Sequence, residues 1–139
     1  MEFRARTGGF LGHTFVVYGR TDDRGRPLDQ NQAGIYPVGE FSESPILPLL
    51  FVPGDVTYKR EDPKDTLTAL YRRRLNAAQF AHLKAVVRRL HARRTVWQFV
   101  FYNCNSFAAE VARNMGFTTP STLDVPRNFV DGLRILNGP

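Results

Sequence analysis

The chain has 139 residues, enough for one domain with a proper core, and its 42% hydrophobic content with mixed charges fits a soluble globular protein. The formal net charge of +6 favours polyanionic partners such as anionic lipid, cell-wall polymer or nucleic acid, although no nucleic-acid motif accompanies it. The single cysteine excludes an intrachain disulfide and an all-cysteine metal site, and no stretch approaches the roughly 20 apolar residues of a membrane span.

Residues 1–9 read as a loose lead-in. Met1-Glu2-Phe3-Arg4-Ala5-Arg6 lacks the apolar run of a signal peptide, so the expected location is cytoplasmic, or outside by a route without a standard signal. Gly8-Gly9-Phe10-Leu11-Gly12-His13 then opens a strand over His13–Tyr18. A strand holds an imidazole on a rigid element, and the glycines let backbone or substrate come close. The polar, turn-rich run from Thr21 to Pro27 is a surface loop. Gln30 to Val38 reads as a second strand, ended or bulged near Pro37, that pairs with the first as a long-looped hairpin. Three amides, Gln30, Asn31 and Gln32, stand at its start. A polar side chain on the strand beside a histidine orients the imidazole in many thiol hydrolases, and Gln32 is the candidate for that role; the alternative is plain loop amides.

Gly39 to Pro53 is apolar but broken by three prolines, which gives a covering loop with a short strand or helical turn. Asp55 to Lys59 alternates like a short strand, and Arg60 to Asp65 is a charged turn. Thr66 to Leu75 suits strand or helix. The strand is preferred, because Asn76-Ala77-Ala78-Gln79 then forms a capping box for a helix over Ala77–Arg93. Leu83, Val86, Val87 and Leu90 share one face of that helix, with Phe80 at its edge. His82 falls on the opposite, solvated side, and His91 flanks the apolar face as a structural residue near the C-terminal dipole. Arg88, Arg89, Arg93 and Arg94, with Arg72 to Arg74, read as a solvated face or as an anion-binding or membrane-surface patch.

Val96 to Tyr102 is β-branched and aromatic, which reads as a buried strand. Phe107, Ala108, Val111, Ala112 and Met115 then recur at helical spacing up to Gly116, so the only cysteine, Cys104, sits at a strand-to-helix junction. Asn103 and Asn105 are capping types, which puts the helix start at or beside Cys104. Free N–H groups and the positive end of the dipole stabilise a thiolate there. The competing reading is a free cysteine packed as a small hydrophobe. Phe117 to Thr122 is a loop. Asp124-Val125-Pro126 opens a last helix carrying Phe129, Val130, Leu133, Ile135 and Leu136, weakened by Gly132. With no internal repeat, linker, phosphate loop or plausible metal cluster, residues 1–139 read as one domain without a cofactor.

The strand start Gly12-His13-Thr14 and the late segment Asn103-Cys104-Asn105-Ser106-Phe107 together resemble the circularly permuted papain-like thiol hydrolases. PPPDE-type isopeptidases carry a similar His-Thr-x-x-Val-Val-Tyr-Gly strand and a similar Asn-Cys-Asn-x-Phe segment. Permuted NlpC-type hydrolases and lecithin:retinol acyltransferase-like proteins share the His-then-Cys order. The resemblance covers the strand around His13, Ala33 to Val38, and Gln79 to Gly116. It implies a Cys104–His13 dyad, or a triad completed by Gln32, acting through an acyl-enzyme. The expected fold is α+β, an antiparallel sheet packed against the Cys104 helix, with the Cys104 backbone N–H as one oxyanion donor.

The expected function is a cysteine peptidase or amidase on a peptide or peptidoglycan substrate. A lipid acyl hydrolase or acyltransferase of the same fold is the alternative, and a non-catalytic module that meets an anionic partner through its basic face is a second class. Neither specific nucleic-acid recognition nor a membrane span is expected.

Overall fold

The computed structural model describes residues 1–8, 12–38, 52–57, 66–93, 95–98 and 100–139. Among the described residues six strands, β1 (Glu2–Arg6), β2 (His13–Tyr18), β3 (Asn31–Pro37), β4 (Val52–Thr57), β5 (Leu67–Arg72) and β6 (Thr95–Trp97), lie with three helices, α1 (Ala77–Ala92), α2 (Cys104–Asn114) and α3 (Pro126–Asn137). The strands form one sheet in the order β5-β1-β2-β3-β4-β6, and every pairing in it is antiparallel. The expected α+β class with an antiparallel sheet is what the chain adopts.

Alternation along the strands sends one set of side chains to the helices. Phe3 and Ala5 of β1, Val16 and Tyr18 of β2, Ala33 and Ile35 of β3, Val52 of β4 and Tyr71 of β5 join one core with Leu83, Val86, Val87 and Leu90 of α1, Phe107 and Val111 of α2, and Phe129 and Leu133 of α3. The opposite face carries Glu2, Arg4, His13, Phe15, Val17 and Gln32, among which Phe15 and Val17 are themselves buried. Helix α2 packs on β2 and β3, α3 on β5 and β1, and α1 on α2 and β4.

Two expectations are corrected. Residues 2–6 are not a loose lead-in but an interior strand, β1, between β2 and β5. Its outward residues hide the pattern because they are charged, yet they bond one another: Glu2 accepts from Arg4 Nε at 2.7 Å and from Arg72 Nε on β5 at 2.6 Å. The run Val96 to Tyr102 is not one buried strand. Only Thr95–Trp97 pairs, and Phe101 is 73% exposed. The Gln98 side-chain carbonyl oxygen accepts from the amides of Val100 and Phe101 at 2.6 and 2.8 Å, and Gln98 bridges to Tyr102, so the chain turns back on itself just before Asn103.

The remaining elements fall close to expectation. α1 has the Asn76–Gln79 capping box, with Asn76 Oδ1 accepting from Gln79 N at 2.9 Å. His82 is exposed as expected, but its Nε2 lies 3.0 Å from the carbonyl of Asn114, which ties α1 to the end of α2. α2 stops before Gly116, whose φ of 84° is the left-handed conformation a helix stop uses. Gly132 has a packing role in α3: a Cβ there would stand 2.9 Å from Pro120 Cβ. β4 starts three residues earlier than the strand expected over Asp55–Lys59. Most of Gly39 to Pro53, the charged turn Arg60 to Asp65, Phe10 and Arg94 lie outside the described residues. Among the described residues no helix is long and apolar enough to cross a membrane.

Candidate active site

Cys104 is the first residue of α2. Its N-cap, Asn103, accepts from Ser106 N through Oδ1 at 3.0 Å, and Ser106 Oγ accepts from Asn103 N at 3.2 Å. This capping box satisfies the amides of the N-cap and third positions. The amides of Cys104 and Asn105, at the first and second positions, are the two the cap does not use, and both face the Cys104 sulfur.

A loop is clamped over the same helix end. Asn103 Nδ2 donates to the Thr122 carbonyl at 3.0 Å, and Asn105 Nδ2 donates to the Asp124 carbonyl at 2.6 Å. From the sheet side, Thr14 Oγ1 donates to Asn105 Oδ1 at 2.6 Å in a buried contact. The asparagines flanking the cysteine therefore do more than cap: they bind α2 to the 122–124 loop and, through Asn105, to β2.

β2 and β3 pair from Tyr18↔Asn31 to Val16↔Ala33; beyond that, β3 continues with β4 from Gly34↔Thr57. The Thr14 amide, past the last β2–β3 pair, bonds the Cys104 thiol. The sulfur thus lies at the start of β2. Burial pushes the Cys104 thiol up from its ordinary value; the amides of Thr14, Asn105 and Cys104 and the Thr14 hydroxyl pull it down without cancelling that rise. As a residue Cys104 is partly exposed.

His13 is the first residue of β2, immediately before Thr14. Its ring packs on Tyr36 at 4.2 Å between centroids and stacks with Phe15 at 6.0 Å. Gly34 makes room for it: a Cβ at position 34 would lie 3.0 Å from His13 Nε2. Gln32 sits on β3 opposite Val17, and its Nε2 donates to the Tyr36 hydroxyl at 3.4 Å, so the amide expected to orient the imidazole bonds the phenol that packs on it. Burial pushes the Tyr36 hydroxyl up; bonds from Gln32 and Arg6 oppose that, and a charge on Cys104 adds to it.

Thr14 and Tyr36 are the participants that the sequence reading passed over. Thr14 follows His13 directly, and Tyr36 lies four residues beyond Gln32 on the same strand face, so both were within reach of a strand-alternation argument. His91 is exposed near the end of α1. Among the described residues no group of three or more His, Cys, Asp or Glu side chains is placed to hold a metal ion. No family model, curated protein or solved structure matches the chain.

Proposed function

We propose that the chain is a thiol hydrolase of permuted papain-like build, with Cys104 as nucleophile and His13 as its base, and that it cleaves an amide. The observation that carries the reading is a helix-initial cysteine whose sulfur meets the Thr14 amide, one residue from the only histidine on the sheet. The raised thiol favours a protonated resting Cys104, so the proton leaves during attack. His13 takes the proton from Sγ, the sulfur bonds the acyl carbon, and the carbonyl π pair moves to oxygen. Collapse of that intermediate expels the amine with the proton returned from His13, and water then repeats the sequence on the thioester. The Cys104 amide, left open by the capping box, donates to the oxyanion.

A second reading, a lipid acyl hydrolase or acyltransferase of the same build, is favoured by the exposed apolar side chains beside the helix start. Phe101 is 73% and Leu123 55% exposed, on the two segments that lead into or clamp Asn103. Thiol-directed probes bearing either peptide or fatty-acyl groups separate the two. Labelling that is lost in both Cys104→Ser and His13→Ala, with melting temperatures retained, supports the hydrolase. Wild-type labelling or turnover in either variant overturns the dyad, and an inert wild type favours a non-catalytic module.

A further inference from the structure

Exposed apolar side chains gather where the chain enters α2. Phe101 is 73% exposed, Val96 and Val100 are 50% each, and Leu123 is 55%. Val100 and Phe101 sit on a closed turn. Gln98 and Tyr102 exchange backbone bonds at 2.9 and 2.8 Å, and Gln98 Oε1 accepts from the amides of Val100 and Phe101. Leu123 lies beside this turn, because Asn103, next after Tyr102, donates to the Thr122 carbonyl. The amides of Gln98, Val100, Phe101 and Tyr102 are therefore all bonded within the turn. That decides where the turn can go: backbone taken out of water costs free energy for each amide left without an acceptor, and these four already have theirs.

Positive charge stands next to it. Helix α1 carries Lys84, Arg88 and Arg89, all exposed, and no Asp or Glu from Ala77 to Ala92. The end of α1 abuts the turn: the Arg93 guanidinium lies 5.2 Å from the centre of the Tyr102 ring, and its Nη2 donates to the Tyr102 hydroxyl at 2.6 Å. Arg89 precedes Arg93 by one helical turn, about 6 Å along the axis, which is inside the ~8 Å over which charges act in physiological salt. We propose that the turn from Gln98 to Tyr102, with Leu123, docks on an anionic lipid bilayer: its apolar side chains enter the headgroup boundary while the cations of α1 meet the lipid phosphates and carboxylates. A nucleic-acid strand matches the charge, but Val96, Val100 and Leu123 are aliphatic and have no ring to stack on a base. Phe101 is three residues ahead of Cys104, so a docked chain carries the start of α2 at the lipid interface. The proposal goes beyond the hydrolase reading and does not depend on it, since docking is read by lipid binding and not by turnover.

The test is flotation of the full chain with vesicles of phosphatidylcholine alone, or of phosphatidylcholine and phosphatidylserine in equal parts. The chain is expected to float with the mixed vesicles, far less with phosphatidylcholine, and less as salt is added. Phe101→Ser, with its melting temperature retained, is expected to weaken binding on the order of 10-fold. Arg88→Gln is expected to weaken it about fivefold. Phe101→Trp reads insertion directly: the new indole should be quenched by lipid with brominated chains, whereas Trp97, 8% exposed in the wild type, should not. Wild-type binding in Phe101→Ser, or no quenching of the indole at position 101, overturns the proposal and leaves only adsorption by charge. A wild-type chain that floats with neither vesicle overturns it as well, and binding of oligouridylate or polyglutamate without vesicle binding reassigns the surface to nucleic acid or to an acidic protein.

Discussion

Thr14 Oγ1 donates to Asn105 Oδ1 at 2.6 Å, joining two buried residues 91 positions apart in the chain, one immediately after His13 and the other immediately after Cys104. This bond brings the two ends of the candidate site together. Because Asn105 Nδ2 is committed to the carbonyls of Thr122 and Asp124, its Oδ1 can only accept, and the direction of the Thr14 bond is fixed. Replacing Thr14 by valine keeps the shape and leaves a buried carbonyl oxygen without its donor. Thr14→Val is expected to cost about 1–3 kcal/mol in a urea melt.

The thiol itself titrates upward. Burial raises Cys104 above its ordinary value, so in the folded protein alkylation should rise only at pH above that of a free cysteine, near 8.5. Denaturing the protein in guanidinium should return the inflection to the ordinary value. The sign for stability follows: below the unfolded-state pKa both states are protonated, and as pH rises past it the unfolded thiol ionises first, so folding weakens. A native inflection at or below 7 would contradict this.

Gly34 gives a steric test of His13 in its proposed role. An added methyl at this position meets His13 Nε2 at 3.0 Å and Phe15 Cβ at 3.2 Å, so the imidazole must move by a few tenths of an ångström. Gly34→Ala is expected to lower turnover at least tenfold with a much smaller effect on the rate of alkylation at high pH, where no base is needed. Full turnover in this variant would show that His13 has freedom the packing does not allow it.

Phe107 is fully buried on α2 and faces the sheet core. Phe107→Ala is expected to destabilise the fold by about 3–5 kcal/mol, read from chemical denaturation. Phe101, six residues earlier, is 73% exposed, and Phe101→Ala should change stability by less than about 0.5 kcal/mol. Equal losses at the two positions would place residues 98–102 in the core after all.

Glu110 of α2 accepts from Arg93 Nη2 at 2.6 Å and from the Tyr102 hydroxyl. Burial pushes its carboxyl up, and these two bonds more than offset that, so Glu110 sits below its ordinary value. Stability from this group is present above the unfolded carboxylate pKa and is lost as pH falls through the lower folded value. Glu110→Gln should therefore lower stability at neutral pH, leave it little changed well below about pH 4.3, and so flatten the acid side of the stability–pH curve. An unchanged acid limb would assign the acid sensitivity to Glu2, whose carboxyl is likewise lowered by bonds from Arg4 and Arg72 against burial.

Local pattern was enough for much of this molecule. The helical spacing of Leu83, Val86, Val87 and Leu90, the Asn76–Gln79 box, and Asn103 ahead of Cys104 are short-range properties, decided within a turn or two of chain. So was the strand His13–Tyr18, and with it the placement of an imidazole and a thiol at element starts. Tertiary structure decided the rest. β1 is charged on one face, and only Arg72 from β5 and the core under Phe3 and Ala5 make it a strand. Residues 96–102 have strand composition, but the Gln98 side chain takes the amides of a turn and leaves Phe101 in solvent. Which side chains face the sulfur depends on register between strands and on a helix packed from far along the chain. No local propensity encodes that, because each such contact is made only when the loop between its partners has already closed.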